Sequence, residues 1–577
     1  MRRLVLGILP AAMIGLAAGA ARAAVSPPAD LVLLHGKIHT EDADRRVVQA
    51  LAVRGNSIVA VGTDEAITEL VGPGTRKIDL GGRVVLPGII DAHTHPAQGA
   101  QDLEKCSLDD KALTPSQIKS RVAACLKERP GEPTAWFEVT MVNPSGLTLS
   151  LVDLDSMLPG RPLLLSGSDG HTAWANTPSL RLAHVTAATA DPAGGHIERD
   201  AAGRPTGTLR DNAMNLVFDA KPAASLDHDA ELLDRALQSM RAAGITSVQD
   251  AAVDDHWMQM YKRLYDAHRL NMRVRGSLWL KNLHESAKAL IDEATQFRAK
   301  WAIDPDFLRA DAVKIFADGV VEYPSQTAAL LEPYLDAAGH PTHNRGPSYF
   351  TQDNLNRIVT AADAAGLTVH FHAIGDRAVR SALDAIADAR RNNGGLDNRD
   401  QIAHLELIDP ADFPRFKALG VMANFQLLWA ERDGYIEDAT IKYLGPQRSR
   451  YLYPARSLRD AGALIVGGSD WNVSSFDAFT AMEHAITRSE ERGKPVLLPE
   501  QSLTLQDMVD AYTINAAWAL KQERTTGSLV AGKRGDFIVL DRDIFWIDPF
   551  DLHGTEVLAT YLDGHEVYAA NTNGSRL

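Results

Sequence analysis

Cysteine is nearly absent: Cys106 and Cys125 are the only two among 577 residues, too few for a zinc site built on thiolates. Beyond the N-terminal segment no apolar run approaches the roughly 20 residues needed to span a bilayer, so the mature chain is expected to be soluble. Positive charge is in deficit, with 59 Lys and Arg against 74 Asp and Glu and a net charge of −15. Spread along the chain, that balance argues against a general nucleic-acid or anionic-membrane binder. No Gly-x-x-x-x-Gly-Lys-Ser/Thr loop occurs, and no glycine fingerprint follows the first strand of a dinucleotide fold, so nucleotide chemistry has no support. The missing Gly-x-Ser-x-Gly elbow disfavours a serine hydrolase.

What is present begins with Arg2-Arg3, an apolar run from Leu4 to about Ala20, and Ala21-Arg22-Ala23, a small-x-small cleavage pattern. This predicts a secretory signal cleaved near Ala23 and a secreted, periplasmic protein; the alternative is a membrane anchor. An oxidising compartment would let Cys106 and Cys125 pair, and sequence separation leaves both the disulfide and two separate thiols open.

A chain of this length is too long for one simple domain. From Leu31 to Leu86 short alternating segments separated by glycine turns read as antiparallel strands, and Asp536–Leu540, Val557–Leu562 and His565–Tyr568 repeat that style. The two ends are expected to form one small β-sandwich, residues 24–88 with 524–577. The middle alternates apolar strand-like runs with helical periodicity, the pattern of βα units. Eight such strands are predicted, at Val84–His93, Ile245–Asp250, Met272–Trp279, Ala310–Phe316, Leu367–His372, Gln401–Leu407, Val421–Phe425 and Leu464–Asp470. The expectation is an α/β fold, a (β/α)8 TIM barrel over residues 89–523 with its chemistry at the C-terminal strand ends. Residues of about 98–227, too many for one crossover, are expected to be an inserted subdomain covering the barrel mouth.

His93 and His95 lie two apart at a strand end, so both face one side, and neutral imidazole is a common ligand for zinc-like ions. Alone, this pattern is weak. His372, His404 and Asp470 end later apolar runs at equivalent places. His370 shares a face with His372 but lies one step deeper, and is expected to pack behind the ligands. Lys314 sits in an apolar strand, where a charged ammonium is costly. Either it pairs with an acid such as Asp311 or Asp318, or its amine takes up carbon dioxide and becomes an anionic carbamate able to bridge two metals.

The run Val85-Leu86-Pro87-Gly88-Ile89-Ile90-Asp91-Ala92-His93-Thr94-His95 resembles the first-strand signature of the amidohydrolase superfamily. The segments Val313 to Gly319, His372 to Ala378 and Gly468-Ser469-Asp470 are similar to its amidohydrolase-3 subgroup, which includes N-substituted formamide deformylases. The tail Gly527 to Asp536 resembles the family's return into the sandwich. The resemblance implies that His93, His95 and Asp470 bind a more buried metal, His372 and His404 a more exposed one, with carbamylated Lys314 between them. Single-metal relatives usually lack this lysine, so the resemblance implies two ions, zinc by default, with iron, manganese or nickel also compatible with the donors.

A metal-bound hydroxide is then expected to cleave a non-peptide C–N bond in a small-molecule amide, formamide or cyclic amide. Asp470 is expected to be the general acid/base, or else a ligand only. Alternatives are an esterase or lactonase on the same site, or a non-catalytic, metal-poor binding protein on the same scaffold. Ser168-Asp169-Gly170-His171-Thr172-Ala173-Trp174-Ala175-Asn176 resembles a subgroup segment, making His171, Trp174 and Asn176 candidate substrate contacts. Gln326 and Trp471 join them, because the stretches around them depart from the usual pattern near the expected pocket. The sequence is compatible with a homo-oligomer.

Overall fold

The computed structural model describes residues 27–192, 194–222, 225–281, 285–395 and 397–570. The proposed signal segment lies outside the described residues.

Eight parallel strands form one sheet in chain order: β1 (Ile89–Thr94), β2 (Ile245–Val253), β3 (Arg273–Trp279), β4 (Leu308–Phe316), β5 (Thr368–Ala373), β6 (Gln401–His404), β7 (Met422–Phe425) and β8 (Leu464–Gly467). Most of their residues are buried, as expected where helices cover the outside of a barrel and side chains fill its inside. The circle is closed by the segment after β8. Asp470 N donates to His93 O at 2.7 Å, and Asn424 Nδ2 donates to Ala92 O at 3.0 Å.

The covering helices follow from their spacing. In the helix Asp376–Asn393, Ala378, Val379, Ala382, Leu383, Ala385, Ile386 and Ala389 are buried, a stripe at helical period. Gly394 stops it in the left-handed region at φ 83°. Burying a side chain such as Leu383 or Ile386 contributes about 1.5–3 kcal/mol, which makes this stripe, more than intrinsic propensity, the reason the helix stays docked.

The apolar run predicted as one strand from Val84 to His93 is divided. Val84–Pro87 pairs with Phe537–Leu540 in a six-stranded sheet that also holds Lys37–His39, Val47–Val48, Val557–Leu562 and His565–Ala569. The chain changes sheets at Gly88, where an added Cβ would lie 2.3 Å from Thr246 Oγ1. A second, four-stranded sheet of Leu31–Leu34, Ala50–Arg54, Ser57–Gly62 and Arg76–Asp79 shares a core with the first through Leu33, Leu51, Val85 and Phe537. Buried Arg273 on β3 ties sandwich to barrel, donating to Asp536 at 2.8 and 3.1 Å.

Between β1 and β2 an inserted unit carries a six-stranded sheet, from Cys106–Ser107 at one edge to Gly195–Arg199 at the other. Cys106, on that edge strand, is disulfide-bonded to Cys125 on the helix Pro115–Glu128, with Cα atoms 5.8 Å apart. Among the described residues no helix is long and apolar enough to cross a membrane.

Candidate metal centre

β1 carries His93 to the barrel's C-terminal end, and His95 follows at the entrance to the helix Pro96–Asp102. The loop after β8 brings Asp470 to both: its Oδ1 lies 3.2 Å from His93 Nε2 and 3.0 Å from His95 Nε2. His404 closes the group, with Nδ1 3.9 Å from Asp470 Oδ2. His93, His404 and Asp470 each offer a donor atom within 4.8 Å of the others, and all three are buried.

Their backbone is held under tension. His404, Leu405 and Asp470 have φ of 76°, 56° and 55°, a region that costs a non-glycine residue on the order of 1–3 kcal/mol and concentrates at functional sites. Asp91 holds one side of the cluster in place: its carboxylate accepts from Ser469 N at 2.9 Å and from Ser469 Oγ at 2.5 Å, anchoring the turn that presents Asp470. Gln426 Oε1 accepts from His404 N at 3.0 Å.

The remaining predicted ligands surround this group. Fully buried Lys314 on β4 places Nζ 3.2 Å from His93 Nε2. The acids considered as its partners are engaged elsewhere. Asp311 takes Arg275 and Arg309, and Asp318 accepts from Ala329 N, Ile374 N and Gly375 N. His372 lies with its ring 4.3 Å from that of His404, and its Nε2 is 3.1 Å from Gly319 O. His370, deeper on β5, sits behind the cluster, with Nε2 2.7 Å from His93 Nδ1 and Nδ1 2.8 Å from the Gln249 amide. A proton on His93 Nδ1 would leave the Nε2 lone pair facing Asp470.

Electrostatics favour ligand forms. Burial first, then nearby positive charge, holds His93, His370, His372 and His404 well below the usual histidine range, so all four are neutral. Burial alone would raise the Asp470 carboxyl, but the close approach of His95 Nε2 and the neighbouring His404 and Lys314 side chains outweigh it and hold it near 2. Burial lowers the Lys314 ammonium to about 7, with Asp470 opposing.

Neutral imidazoles around an ionised carboxylate suit a divalent cation. His95 Nδ1, both ring nitrogens of His404, and Asp470 Oδ1 are buried without a hydrogen-bond partner. Unpaired buried polar atoms are costly, and a bound cation would engage such acceptors. The residues present fit a metal.

Two adjoining cavities, of about 870 and 480 Å³, both open onto His171, His372, His404 and Asp470. His171 arrives from the insertion, its Nδ1 2.6 Å from Asp211 Oδ1 and its ring 5.2 Å from that of His372. Burial would lower its pKa, but Asp211 raises it on balance.

The other expected substrate contacts lie elsewhere. Trp174 is buried in the insertion's own hydrophobic core, and Asn176 caps the helix Thr177–Leu182 while bonding Leu163 N, Leu158 O and Arg161 O. They lie on a strand and helix cap of the insertion, so burying its sheet draws them inward. Trp471 packs edge-on against Phe476 and lies across Gly99, where an added Cβ would meet its ring at 2.7 Å. Gln326 lies in the left-handed region at φ 47°, its carbonyl accepting from Asn344 Nδ2. Neither Trp471 nor Gln326 lines the two cavities.

Sequence reasoning missed Trp429, whose ring stacks on His404 at 5.8 Å, and a chain of buried amides inside the barrel. Gln401 Nε2 donates to Gln249 Oε1 at 3.0 Å, and Asn424 Nδ2 donates to Gln401 Oε1 at 2.9 Å. Their signal was amide side chains within otherwise apolar strands.

A model of the amidohydrolase family matches residues 76–568. The N-substituted formamide deformylase of Arthrobacter pascens is 29% identical over 554 residues, covering 93% of this chain and 97% of its own. The protein LONG AFTER FAR-RED 3 of Arabidopsis thaliana is 30% identical over 563 residues, covering 94% and 93%. An uncharacterized metal-dependent hydrolase of Pyrococcus horikoshii OT3 shares the fold, with a TM-score of 0.70 at 22% identity over 90% of this chain and 99% of that one. With a family match along most of its length and a metal-ligand cluster at the barrel mouth, the chain belongs to the amidohydrolase family, in the amidohydrolase-3 group.

Proposed function

We propose that this protein is a metal-dependent hydrolase of a non-peptide C–N bond in a small amide, formamide or cyclic amide. The observation that carries the reading is the convergence of His93, His404 and Asp470 on one point at the mouth of an amidohydrolase barrel. A bound divalent ion would polarise the carbonyl and make water acidic enough to ionise near neutral pH.

The chain's own groups supply the rest. Asp470, held ionised, is placed to take the proton of the attacking water and return it to the departing amine nitrogen, so the C–N bond breaks as the new C–O bond is kept. His171, its Nδ1 directed at Asp211, can donate from Nε2 to the carbonyl oxygen as negative charge builds there.

The finer reading has two ions, zinc by default. His93, His95 and Asp470 would hold one, His372 and His404 the other, with a carbamate on Lys314 between them. Its support is the burial of Lys314 with both neighbouring acids otherwise engaged. Export to the periplasm by the segment ending at Ala23 is part of the proposal, and the Cys106–Cys125 disulfide is in keeping with an oxidising compartment.

The test is a screen of amides, N-formyl amines, cyclic amides and lactones with protein loaded separately with zinc, iron, manganese or nickel, alongside metal analysis. Hydrolysis of at least one C–N substrate that stops on chelation is expected. Turnover confined to lactones and esters, or protein that retains no metal, would overturn the reading.

A further inference from the structure

The smaller cavity has an unusual charge balance. Besides Asp470, its walls include Asp169, Glu322, Glu406, Glu431 and Asp433, and among the described residues no lysine or arginine lines it. None of these five carboxylates forms an ion pair with lysine or arginine among the described residues; the one basic contact is His484 Nδ1, 3.5 Å from Glu431. Asp169 is satisfied by His171 N, Thr172 N and Thr172 Oγ1, and Asp433 accepts from Ile436 N. Glu322 and Glu406 are different, being 8% and 3% exposed, and Glu406 Oε2 is buried without any hydrogen-bond partner. Three histidines also reach the cavity. His404 belongs to the metal cluster, His372 stands beside it with its ring 4.3 Å from that of His404, and His171 is engaged by Asp211.

Buried carboxylates without a cation are costly, and burial accordingly raises the Glu322 carboxyl to about 7 and the Glu431 carboxyl to about 8, so that a proton neutralises them until a cation takes its place. A metal ion is a poor candidate. Among the described residues, the group bringing three metal-donor atoms within 4.8 Å of one another is His93, His404 and Asp470, and the cavity's other acids do not converge in that way. An organic cation needs no such convergence, because its charge can be shared among dispersed carboxylates and aromatic faces. Trp429 and Tyr453 stand in the same wall, and about 480 Å³ accommodates a short alkyl chain. The larger cavity contrasts with it, since Lys105, Lys221 and Lys281 lie among its lining residues.

We infer that the smaller cavity receives a primary ammonium group on the substrate, so that the enzyme acts on amides of amines bearing a second, positively charged nitrogen. This rests on the hydrolase reading for where the amide lies, but the cation site can be measured without turnover.

Calorimetry on the full-length, metal-loaded protein at pH 7 would compare n-butylammonium with n-butanol, its uncharged counterpart. Binding of the ammonium at least tenfold tighter than the alcohol is expected, with the preference falling at least fivefold in both Glu322→Gln and the more exposed Glu431→Gln. In parallel, kcat/KM for the N-formyl derivative of 1,4-diaminobutane is expected to exceed that for N-formylbutylamine at least tenfold, and this ratio should fall in both variants. Equal binding of ammonium and alcohol, or a preference undiminished in both variants, would overturn the cation site. A preserved ammonium preference with no hydrolysis of any amide would instead overturn the hydrolase reading.

Discussion

Asp470 meets His93 twice: its backbone N–H donates to the His93 carbonyl at 2.7 Å, and its Oδ1 lies 3.2 Å from His93 Nε2. The contact that closes the barrel between its last and first strands is therefore also the one that assembles the metal donors. Closing the fold and building the site are one event here.

Asp470→Asn keeps the backbone half of that relationship and removes the carboxylate. The variant is expected to fold with little change in Tm, but to lose about 10²- to 10⁴-fold in kcat/KM, the usual scale for general acid–base catalysis. Unchanged kcat/KM in the metal-loaded variant would exclude Asp470 from proton transfer.

His370 should act through His93. Its Nε2 stands 2.7 Å from His93 Nδ1, and losing a partner that orients a metal-binding histidine typically weakens metal affinity about 10- to 100-fold. Competition with a chelator should show that loss in His370→Ala. Affinity equal to that of the parent protein would mean that His93 is oriented by its strand alone.

Lys314→Ala tests the carbamate. Metal content and activity are both expected to fall, and a small carboxylic acid such as propionate should restore part of each by supplying the missing anionic oxygens. Full metal occupancy and activity in Lys314→Ala would remove the bridge.

Below the site, Asp311 is bound to Arg275 at 2.5 Å and to Arg309 at 3.3 Å. Burial alone would raise its carboxyl, but the two guanidinium groups outweigh burial and hold it far below its ordinary 3.8. A carboxyl whose pKa is depressed by folding stabilises the native state above its unfolded pKa and loses that contribution as pH falls toward the folded value. Asp311→Asn should therefore cost about 3 kcal/mol near neutral pH, as for a broken buried ion pair. The gap from the parent protein, read from denaturant unfolding, should narrow when pH drops below 4. A gap independent of pH would mean that the loss comes from packing rather than charge.

The strand ends were readable because period two and a following polar turn are local properties. They located His93, His95, His372, His404 and Asp470 without any knowledge of neighbours. The same local logic could not place Trp174 and Asn176, which lie inside the inserted sheet, since a glycine-rich polar segment beside an aromatic looks alike whether it faces a cavity or the inside of a sheet. Val84 to His93 read as one strand because its apolarity is continuous, although Gly88, passing close against Thr246, lets the chain leave one sheet for another.

By itself the sequence determined the eightfold alternation of strand and helix, the composite sandwich, and the kinds of donor available at the barrel mouth, because periodicity and residue chemistry are carried along the chain. Only the tertiary structure decided which donors meet. His93, His404 and Asp470 are hundreds of residues apart along the chain or on separate strands, and barrel closure brings them together. It also paired Cys106 with Cys125 and collected Glu322, Glu406 and Glu431 around one cavity. Convergence depends on distances between segments remote in the chain, and no local pattern encodes them.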